Sequence, residues 1–329
     1  MRIVLCYPLE SRHLRQIAEV APQAEIVDAG QERIATEILE ADVFCGHAKV
    51  PVPWDEVVSR GRLRWIQSSA AGLDHCLTPS VISSEILVTS ASGLFADPVA
   101  EQTLALLLGL LRGLPTFFRQ QTSREFVRRP TRDLHRTCVG ILGFGGNGRR
   151  LAEVLAPFQT RILATDWFPE NKPPHVEALW SAERYLDLLP QVDILILCVP
   201  LNDRTHGMID AGALARMKPG AILINVARGP VVVEADLVAA LESGQLGGAG
   251  LDVTEIEPLS PASKLWDLPN VIITPHVGAQ SVTRLDDTTN LVCENIGRYV
   301  RGEPLWNVVD KQLGFPSPTF IWTPQSRRR

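Results

Sequence analysis

The chain has 329 residues, of which 45% are hydrophobic and 21% are charged, and its formal net charge is -5. This length is enough for two domains, each with a core of its own. A net negative charge gives no support to a nucleic-acid partner or to binding at an anionic membrane surface. The composition is that of an ordinary globular protein.

Six scattered cysteines form no C-x-x-C pair and have no zinc-binding spacing, which favours reduced thiols inside a cell. The most apolar run, residues 103–111, is shorter than the ~20 residues that a membrane-spanning helix needs. The start of the chain reads as a strand and not as a signal peptide. No pair of histidines has the i, i+4 spacing of a helical metal site. We therefore expect a cytoplasmic protein with no metal and no membrane contact.

The first part of the chain alternates strand-like and helix-like segments. Strands are predicted at residues 2–6, 24–28, 42–47, 63–67 and 86–89. This alternation predicts an α/β unit with a parallel sheet, of the flavodoxin-like type. A long apolar helix is predicted next, at residues 99–112, followed by a polar, arginine-rich arm or loop at residues 119–136.

A second α/β unit follows the arm. Its strands are predicted at residues 138–142, 161–165, 193–199, 221–226, 248–252 and 271–274. Six strands are enough for a complete doubly wound, Rossmann-type dinucleotide fold. A final helix is predicted at residues 283–299, followed by a proline-rich, aromatic tail whose last three residues, all arginine, are expected to be solvated.

A glycine fingerprint joins the first strand of this second unit to the helix after it. The loop residues are Gly143, Phe144, Gly145, Gly146, Asn147 and Gly148. Glycines at these positions allow a tight turn, close approach of a pyrophosphate and close packing of the helix, whose N-terminus attracts phosphate. The motif alone is also compatible with an ordinary turn. Asn147 stands where such loops are usually apolar, which puts the packing of the helix in question.

Asp166 ends the next predicted strand, 18 residues after Gly148 (166 − 148). An acid at this place accepts hydrogen bonds from the adenosine ribose and repels a 2′-phosphate. The next residues, Trp167 and Phe168, provide no arginine for that phosphate, so NAD is favoured over NADP. A strand-end aspartate can also act as a helix or turn cap, and this reading stays open.

Three polar residues, Arg228, Glu257 and His276, each follow an apolar strand-like run of the second unit. Ligands of open parallel sheets bind beyond the carboxyl ends of the strands, so these residues are candidates for one site. Arginine can hold a carboxylate, and histidine titrates near neutrality and can exchange a proton. Residues 69–72 offer backbone N–H groups suited to an anion. Individually, these features also fit a surface arginine, a turn histidine and a plain strand-to-helix turn.

Six stretches, taken together, resemble the D-isomer-specific 2-hydroxyacid dehydrogenase family. They are residues 65–75, 99–101, 143–148, 224–229, 251–258 and 274–278, in the family's order and at roughly its spacing. The resemblance extends over most of the chain. It implies a discontinuous substrate domain at residues 1–98 and 289–329, and a Rossmann NAD-binding domain at residues 99–288.

The resemblance also implies roles for particular residues. Arg228, Glu257 and His276 match the catalytic residues, with Glu257 orienting His276 and favouring its protonated form. Glu257 is chosen over Glu255 because only Glu257 directly precedes Pro258, as in the family. The amides of Ala71 and Gly72 would bind the substrate carboxylate opposite Arg228. Further cofactor contacts are implied for Val199, Pro200, Thr205, Val226, Ala227, Asp252, His276 and Gly278.

The expected activity is NAD-dependent reduction of a small 2-keto acid to the D-2-hydroxy acid, and the reverse reaction, with glyoxylate and hydroxypyruvate as the favoured substrates. A glutamate rather than a glutamine beside the histidine argues against formate. Two alternatives stay open: an NAD-responsive scaffold similar to the family's transcriptional co-repressors, and the same fold acting on phosphite. The resemblance also implies a homodimer formed through the helix at residues 99–112 and the arm after it.

Overall fold

The computed structural model describes residues 1–318. The described chain divides into two compact units: unit 1 comprises Met1–Phe95 and residues 281–318, and unit 2 comprises Ala96–Gln280. Each unit contains one parallel β-sheet with helices, so the predicted α/β class is confirmed. The arginines at residues 327–329 lie outside the described residues.

Eleven strands of the described chain lie close to the predicted positions, and β8, β13 and β14 were not predicted. The strands are β1 Arg2–Cys6, β2 Glu25–Asp28, β3 Val43–Gly46, β4 Trp65–Ser68, β5 Leu87–Thr89, β6 Cys138–Leu142, β7 Arg161–Asp166, β8 Ala178–Ser181, β9 Ile194–Leu197, β10 Ala221–Asn225, β11 Leu246–Leu251, β12 Val271–Ile273, β13 Val309–Asp310 and β14 Phe315–Pro316. The helices are α1 Ser11–Val20, α2 Gly30–Glu37, α3 Trp54–Arg60, α4 Pro79–Ser83, α5 Ala96–Leu111, α6 Leu114–Ser123, α7 Gly146–Leu155, α8 Tyr185–Leu188, α9 Ala211–Arg216, α10 Glu234–Glu242 and α11 Arg284–Arg301.

The sheet of unit 1 has the strand order β2-β1-β3-β4-β5, which is the flavodoxin-like order that the sequence predicted. Successive side chains of a strand point to opposite faces, so a sheet covered on both faces needs apolar residues throughout. Ile3 and Leu5 lie in the core on one face, and Val4 and Cys6 lie in the core on the other.

Helix α11 belongs entirely to unit 1, where it packs against α1. His13 Nε2 lies 2.7 Å from Asp286 Oδ1, and Gln16 Nε2 donates to Asn290 Oδ1 at 2.8 Å. The domain boundary expected between residues 288 and 289 would cut through this helix. The compact units change instead between Gln280 and Ser281, before the helix begins.

The sheet of unit 2 has seven strands in the order β12-β11-β10-β9-β6-β7-β8. This is the doubly wound dinucleotide-binding order with one further strand beyond the usual six. Strand β8 was not predicted, because this four-residue strand at the edge of the sheet is only half-buried and shows no apolar alternation. Ile194 and Ile196 pack on one face of the sheet, and Leu195 and Leu197 pack on the other.

The segment expected as an arm or loop at residues 119–136 is in part helical. Helix α6 extends to Ser123, and Pro115 lies in its first turn, where proline is well tolerated. After α6, residues 125–134 have no regular secondary structure and are mostly exposed. No helix in residues 1–318 is both long enough and apolar enough to cross a membrane.

Candidate active site

The three polar residues singled out in the sequence follow neighbouring strands of unit 2. Arg228 follows β10, Glu257 follows β11 and His276 follows β12, and these strands pair in parallel in the order β12-β11-β10. Parallel neighbours place their carboxyl ends at the same edge of the sheet. The fold therefore brings the three loops to one edge.

The imidazole of His276 contacts the carboxylate of Glu257. His276 Nδ1 lies 2.8 Å from Glu257 Oε2, and the two side chains are 47% and 38% exposed. An ionised carboxylate only accepts hydrogen bonds, so Nδ1 carries the proton in this pair. The other ring nitrogen, Nε2, is thereby left for proton exchange with a ligand. Thr254 N donates to Glu257 Oε1 at 3.3 Å and helps to orient the carboxylate.

The loop that carries His276 is held by the buried carboxylate of Asp252, at the end of β11. Asp252 is 3% exposed and accepts hydrogen bonds from Thr274 Oγ1 at 2.6 Å, Val277 N at 3.0 Å and Gly278 N at 2.8 Å. His276 has a φ of 54°. This left-handed conformation is uncommon for a residue with a side chain. The bonds on either side of His276 hold it there.

Arg228 is positioned by Asn225, a buried residue that the sequence analysis did not single out. Asn225 is 1% exposed; its side chain donates to Arg228 O at 3.1 Å and accepts from Ala227 N at 3.0 Å. Asn225 could have been found in the sequence as a polar residue at the end of an otherwise apolar strand. The Arg228 guanidinium also donates to Ala227 O at 2.7 Å.

Gly229 brings the loop after β10 into direct contact with the loop after β11. A Cβ at Gly229 would lie 1.7 Å from Thr254 O and 2.7 Å from Glu255 N. Only a glycine allows this approach, since both neighbouring atoms belong to the backbone. The contact sets the spacing between the loop of Arg228 and the loop of Glu257.

Glu255, the alternative to Glu257, has a different contact. Its Oε2 accepts a hydrogen bond from Glu234 N at 2.7 Å, at the start of α10. A carboxylate at a helix N-terminus satisfies a backbone donor and interacts favourably with the helix dipole. Glu255 is exposed but bonded in this way, and Glu257 is the glutamate that contacts His276.

The glycine fingerprint lies between β6 and α7, beside the point where the strand order of the sheet reverses. A Cβ at Gly143 would lie 2.6 Å from Cys198 O, and a Cβ at Gly148 would lie 2.2 Å from Gly143 O, so both close approaches need glycine. A Cβ at Gly145 would meet nothing within 4 Å, and no side chain caps the start of α7. This open helix N-terminus fits the pyrophosphate of a dinucleotide.

The other loop residues, Phe144, Gly146 and Asn147, lie in this turn and in the first turn of α7. Asn147 is half-exposed, and α7 packs on the sheet through Leu151 and Leu155. The polar residue at position 147 therefore leaves the packing of the helix intact.

Asp166 lies at the carboxyl end of β7, next to the glycine loop. Its Oδ2 accepts from Phe144 N at 2.6 Å and its Oδ1 accepts from Phe168 N at 2.8 Å. Burial raises the pKa of Asp166 above its ordinary value, and these two backbone bonds and the charge of Arg149 oppose the increase. Asp166 can therefore cap the backbone and also accept a hydrogen bond from a ribose, since each carboxylate oxygen has a further lone pair.

The remaining predicted cofactor residues also lie in loops at the carboxyl edge of this sheet. Val199, Pro200 and Thr205 follow β9, where Thr205 Oγ1 donates to Pro200 O at 2.6 Å and shapes the turn. Val226 and Ala227 follow β10, and Gly278 follows β12. A Cβ at Gly278 would lie 2.8 Å from Asp252 Oδ2, so glycine is needed beside that carboxylate.

Ala71 and Gly72 belong to unit 1 and follow β4. Ser68 Oγ accepts from Ala70 N at 3.0 Å and donates to Ala70 O at 3.1 Å, which holds the turn that begins there. In the described chain, no acceptor takes a hydrogen bond from the backbone N–H of Ala71 or Gly72. Ala71 is exposed and Gly72 is half-buried, so both amides are suited to bind an anion.

Comparisons with known proteins support a dehydrogenase assignment. The model of the D-isomer specific 2-hydroxyacid dehydrogenase family, NAD binding domain, matches residues 104–278. The glyoxylate reductase of Pyrococcus furiosus is 30% identical over 311 residues, covering 91% of this chain and 91% of the relative. The glycerate dehydrogenase of Methylorubrum extorquens is 32% identical over 272 residues, covering 80% of this chain and 83% of the relative.

A solved structure supports the same assignment. The NADPH-dependent glyoxylate/hydroxypyruvate reductase of Sinorhizobium meliloti, in complex with NADP and sulfate, superimposes with a TM-score of 0.80 at 28% identity, covering 95% of this chain and 99% of that chain. The family model matches more than half of the chain, within unit 2 and its glycine loop. This chain therefore belongs to the D-isomer specific 2-hydroxyacid dehydrogenase family.

Proposed function

We propose that this protein reduces small 2-keto acids, with glyoxylate and hydroxypyruvate as the favoured substrates, to the D-2-hydroxy acids, and that NADH is the preferred hydride donor. The family assignment makes the protein an NAD(P)-dependent oxidoreductase acting on CH–OH donors. The observation that carries the proposal is the 2.8 Å contact between His276 Nδ1 and Glu257 Oε2, beside the loop of Arg228.

His276 is proposed as the acid and base of the reaction. With Nδ1–H bonded to Glu257, the Nε2–H of an imidazolium can give its proton to the oxygen of the reduced carbonyl and recover it in reverse. The bond to Glu257 fixes the orientation of the ring. The nicotinamide, when bound, supplies or accepts the hydride.

Arg228 is proposed to bind the substrate. The guanidinium of Arg228 can polarise the keto oxygen or hold a carboxylate through its planar set of donors. We assign the substrate carboxylate to the amides of Ala71 and Gly72, because both donate no hydrogen bond within residues 1–318. Unit 1 is therefore proposed as the substrate domain and unit 2 as the cofactor domain.

The cofactor is proposed to lie along the carboxyl edge of the unit 2 sheet. The start of α7 would hold the pyrophosphate, and Asp166 would accept from the adenosine ribose. Residues after β9, β10, β11 and β12 would line the rest of the dinucleotide site. Asp166 favours NADH, since its negative charge repels a 2′-phosphate.

A substrate panel tests the proposed reaction. Glyoxylate, hydroxypyruvate and pyruvate are each mixed with the protein and NADH. Formate and phosphite are each mixed with the protein and NAD, because they are assayed in the oxidising direction. Cofactor absorbance is expected to change with glyoxylate and hydroxypyruvate and not with formate. Turnover of phosphite alone, or of no compound in either direction, would contradict the proposal.

Two matched glutamate variants test the role of Glu257. Glu257→Gln removes the charge beside His276, whereas Glu255→Gln removes a charge two positions away that caps α10. We expect kcat to fall by about 100-fold or more in the first variant only, since general acid–base catalysis contributes about 10²- to 10⁴-fold. His276→Ala should abolish turnover while NADH still binds. Equal losses in the two glutamate variants would show that the His276 contact is not used.

A homodimer is proposed to form through α5 and the arm after it. Support comes from apolar side chains exposed in this part of the chain, among them Leu114 at 39%, Phe118 at 60% and Phe126 at 102%. Exposed apolar groups of this kind are typical of protein interfaces. Light scattering should give twice the chain mass, and a monomer would refute the proposal. A cytoplasmic location stays a prediction of the sequence.

A further inference from the structure

An arginine lies stacked on the aromatic residue directly after Asp166. The guanidinium carbon of Arg204 is 4.4 Å from the centroid of the Trp167 ring. Trp167 comes from the loop after β7 and Arg204 from the loop after β9, so the contact joins two loops at the carboxyl edge of the sheet. The local sequence after Asp166 contains no arginine, and only the folded chain brings this one there.

The backbone holds Arg204 in this place. Asn202 Oδ1 accepts from Arg204 N at 3.0 Å, and Asn202 N donates to Thr205 Oγ1 at 2.9 Å. These bonds close a tight turn in which Arg204 is exposed. Its place over Trp167 therefore follows from the shape of the turn and from the cation–π contact.

The donor groups of the stacked guanidinium are available to a ligand. A guanidinium that lies face-on against an aromatic ring keeps its N–H groups at its edge. Within residues 1–318, no acceptor takes a hydrogen bond from the side chain of Arg204. Arg149, whose charge acts on Asp166, is already bonded to Asn171 O at 2.9 Å and Glu170 O at 2.8 Å.

Positive charge reaches the sheet edge that carries Asp166 from two arginines: Arg149 acts on Asp166 itself, and Arg204 acts on Glu183. The pKa of Glu183 is lowered by a bond from its own backbone amide and one from Ser181, and the charge of Arg204 contributes in the same direction. Ser181 pairs with Asp166 in the β7–β8 ladder. Arg204 therefore acts on a group that follows the strand paired with Asp166.

We propose that Arg204 binds the 2′-phosphate of NADPH, so that this protein uses NADPH as a second cofactor in spite of Asp166. An acid at the end of this strand selects NAD, and a nearby arginine accommodates the 2′-phosphate. Here both residues are present, and the arginine comes from a different loop. Arginine donates two parallel hydrogen bonds to a phosphate, which offsets the repulsion by one carboxylate. The inference rests on the cofactor site of the proposed function and not on the identity of the keto acid.

The test is nucleotide binding, measured by calorimetry with two probes that differ only in the 2′-phosphate: adenosine 2′,5′-bisphosphate and adenosine 5′-monophosphate. Arg204→Gln should weaken binding of the bisphosphate by about 10-fold or more, the scale of a charge-assisted hydrogen bond, and leave the monophosphate nearly unchanged. Arg204→Lys keeps the charge without the two parallel donors. Its affinity for the bisphosphate should lie between that of the wild type and that of Arg204→Gln. Arg204 is exposed, so these variants should fold.

Arg161→Gln is the matched control. Arg161 starts the strand that Asp166 ends, and it pairs at the surface with Glu177 at 2.7 Å. This variant loses the same charge at the opposite end of the strand and should leave both affinities unchanged. The inference is overturned if Arg204→Gln weakens the binding of both probes equally or of neither probe. It is also overturned if the wild type does not bind the bisphosphate. Because the readout is binding, a failed keto-acid panel would refute the proposed reaction and leave this result intact.

Discussion

Gly229→Ala is expected to push the loop of Arg228 away from the loop of Glu257. The new Cβ would lie 1.7 Å from Thr254 O, whereas ordinary van der Waals contact begins at 3.4 Å, so the two backbones must separate by about 1.7 Å (3.4 − 1.7). Misplacing a catalytic group by about 1 Å costs on the order of 100-fold in rate. We therefore expect kcat/KM for glyoxylate to fall by about 100-fold or more.

The same variant should also be less stable. Forcing an extra carbon into a closely packed contact costs ~1–3 kcal/mol. For a unit of this size that lowers the Tm by roughly 2–12 °C, measured by calorimetry. Binding of NADH should be weakened less than kcat/KM, because the glycine loop proposed for the pyrophosphate follows β6, which is separated from β10 by β9 in the sheet.

Gly212→Ala in α9 is the control for the glycine-to-alanine change itself. A Cβ there would meet only the side chain of Asp210, at 3.3 Å, and an alanine within a helix is favourable. This variant should keep wild-type kinetics. If Gly229→Ala also kept a kcat/KM close to wild type, the spacing of the Arg228 and Glu257 loops would not matter for the reaction and our reasoning would be wrong.

Two further predictions concern buried or partly buried aspartates. Asp252→Asn should lower the free energy of unfolding by about 1–3 kcal/mol. An amide cannot accept hydrogen bonds from all of Thr274, Val277 and Gly278, so a buried donor is left unpaired. Denaturant titration measures the free energy of unfolding, and an unchanged value would contradict this prediction. The raised pKa of Asp166 means that it gains a proton at a higher pH than an ordinary aspartate, so lowering the pH should shift nucleotide preference towards the 2′-phosphate. The control is Asp166→Asn, in which only the phosphate of the nucleotide titrates. If the nucleotide preference of the wild type and of this variant changed identically with pH, the predicted effect of Asp166 would be refuted.

Local patterns were sufficient for most of the fold. Strands buried on both faces of a parallel sheet appear in the sequence as short apolar runs, and the strands of the two parallel sheets were recognised in this way except for β8. Ala178–Ser181 pairs only with β7 at the sheet edge and is half-buried, so its sequence carries a weaker apolar signal. The helical start of the arm was missed because α6 has a mixed polar surface.

The sequence by itself determined where the chemistry-bearing loops lie, since a glycine fingerprint and polar residues after apolar strands are local signals. It also identified Arg228, Glu257 and His276 as candidates. Hydrogen bonds between loops are different, because they depend on distances that only packing sets. The resemblance implied Glu257 as the partner of His276, whereas the tertiary structure gave the distance of that contact and the bond of Glu255 to the start of α10.

The same distinction holds for the cofactor site. The sequence placed an acid at the end of β7 with no arginine beside it, and this led to the prediction of NAD. The fold brings Arg204, from the loop after β9, to within 4.4 Å of the Trp167 ring. Charge selectivity at such a site depends on every group that reaches it through space, whatever its distance along the chain. The sequence therefore located the cofactor site, and the tertiary structure decided which charges surround it.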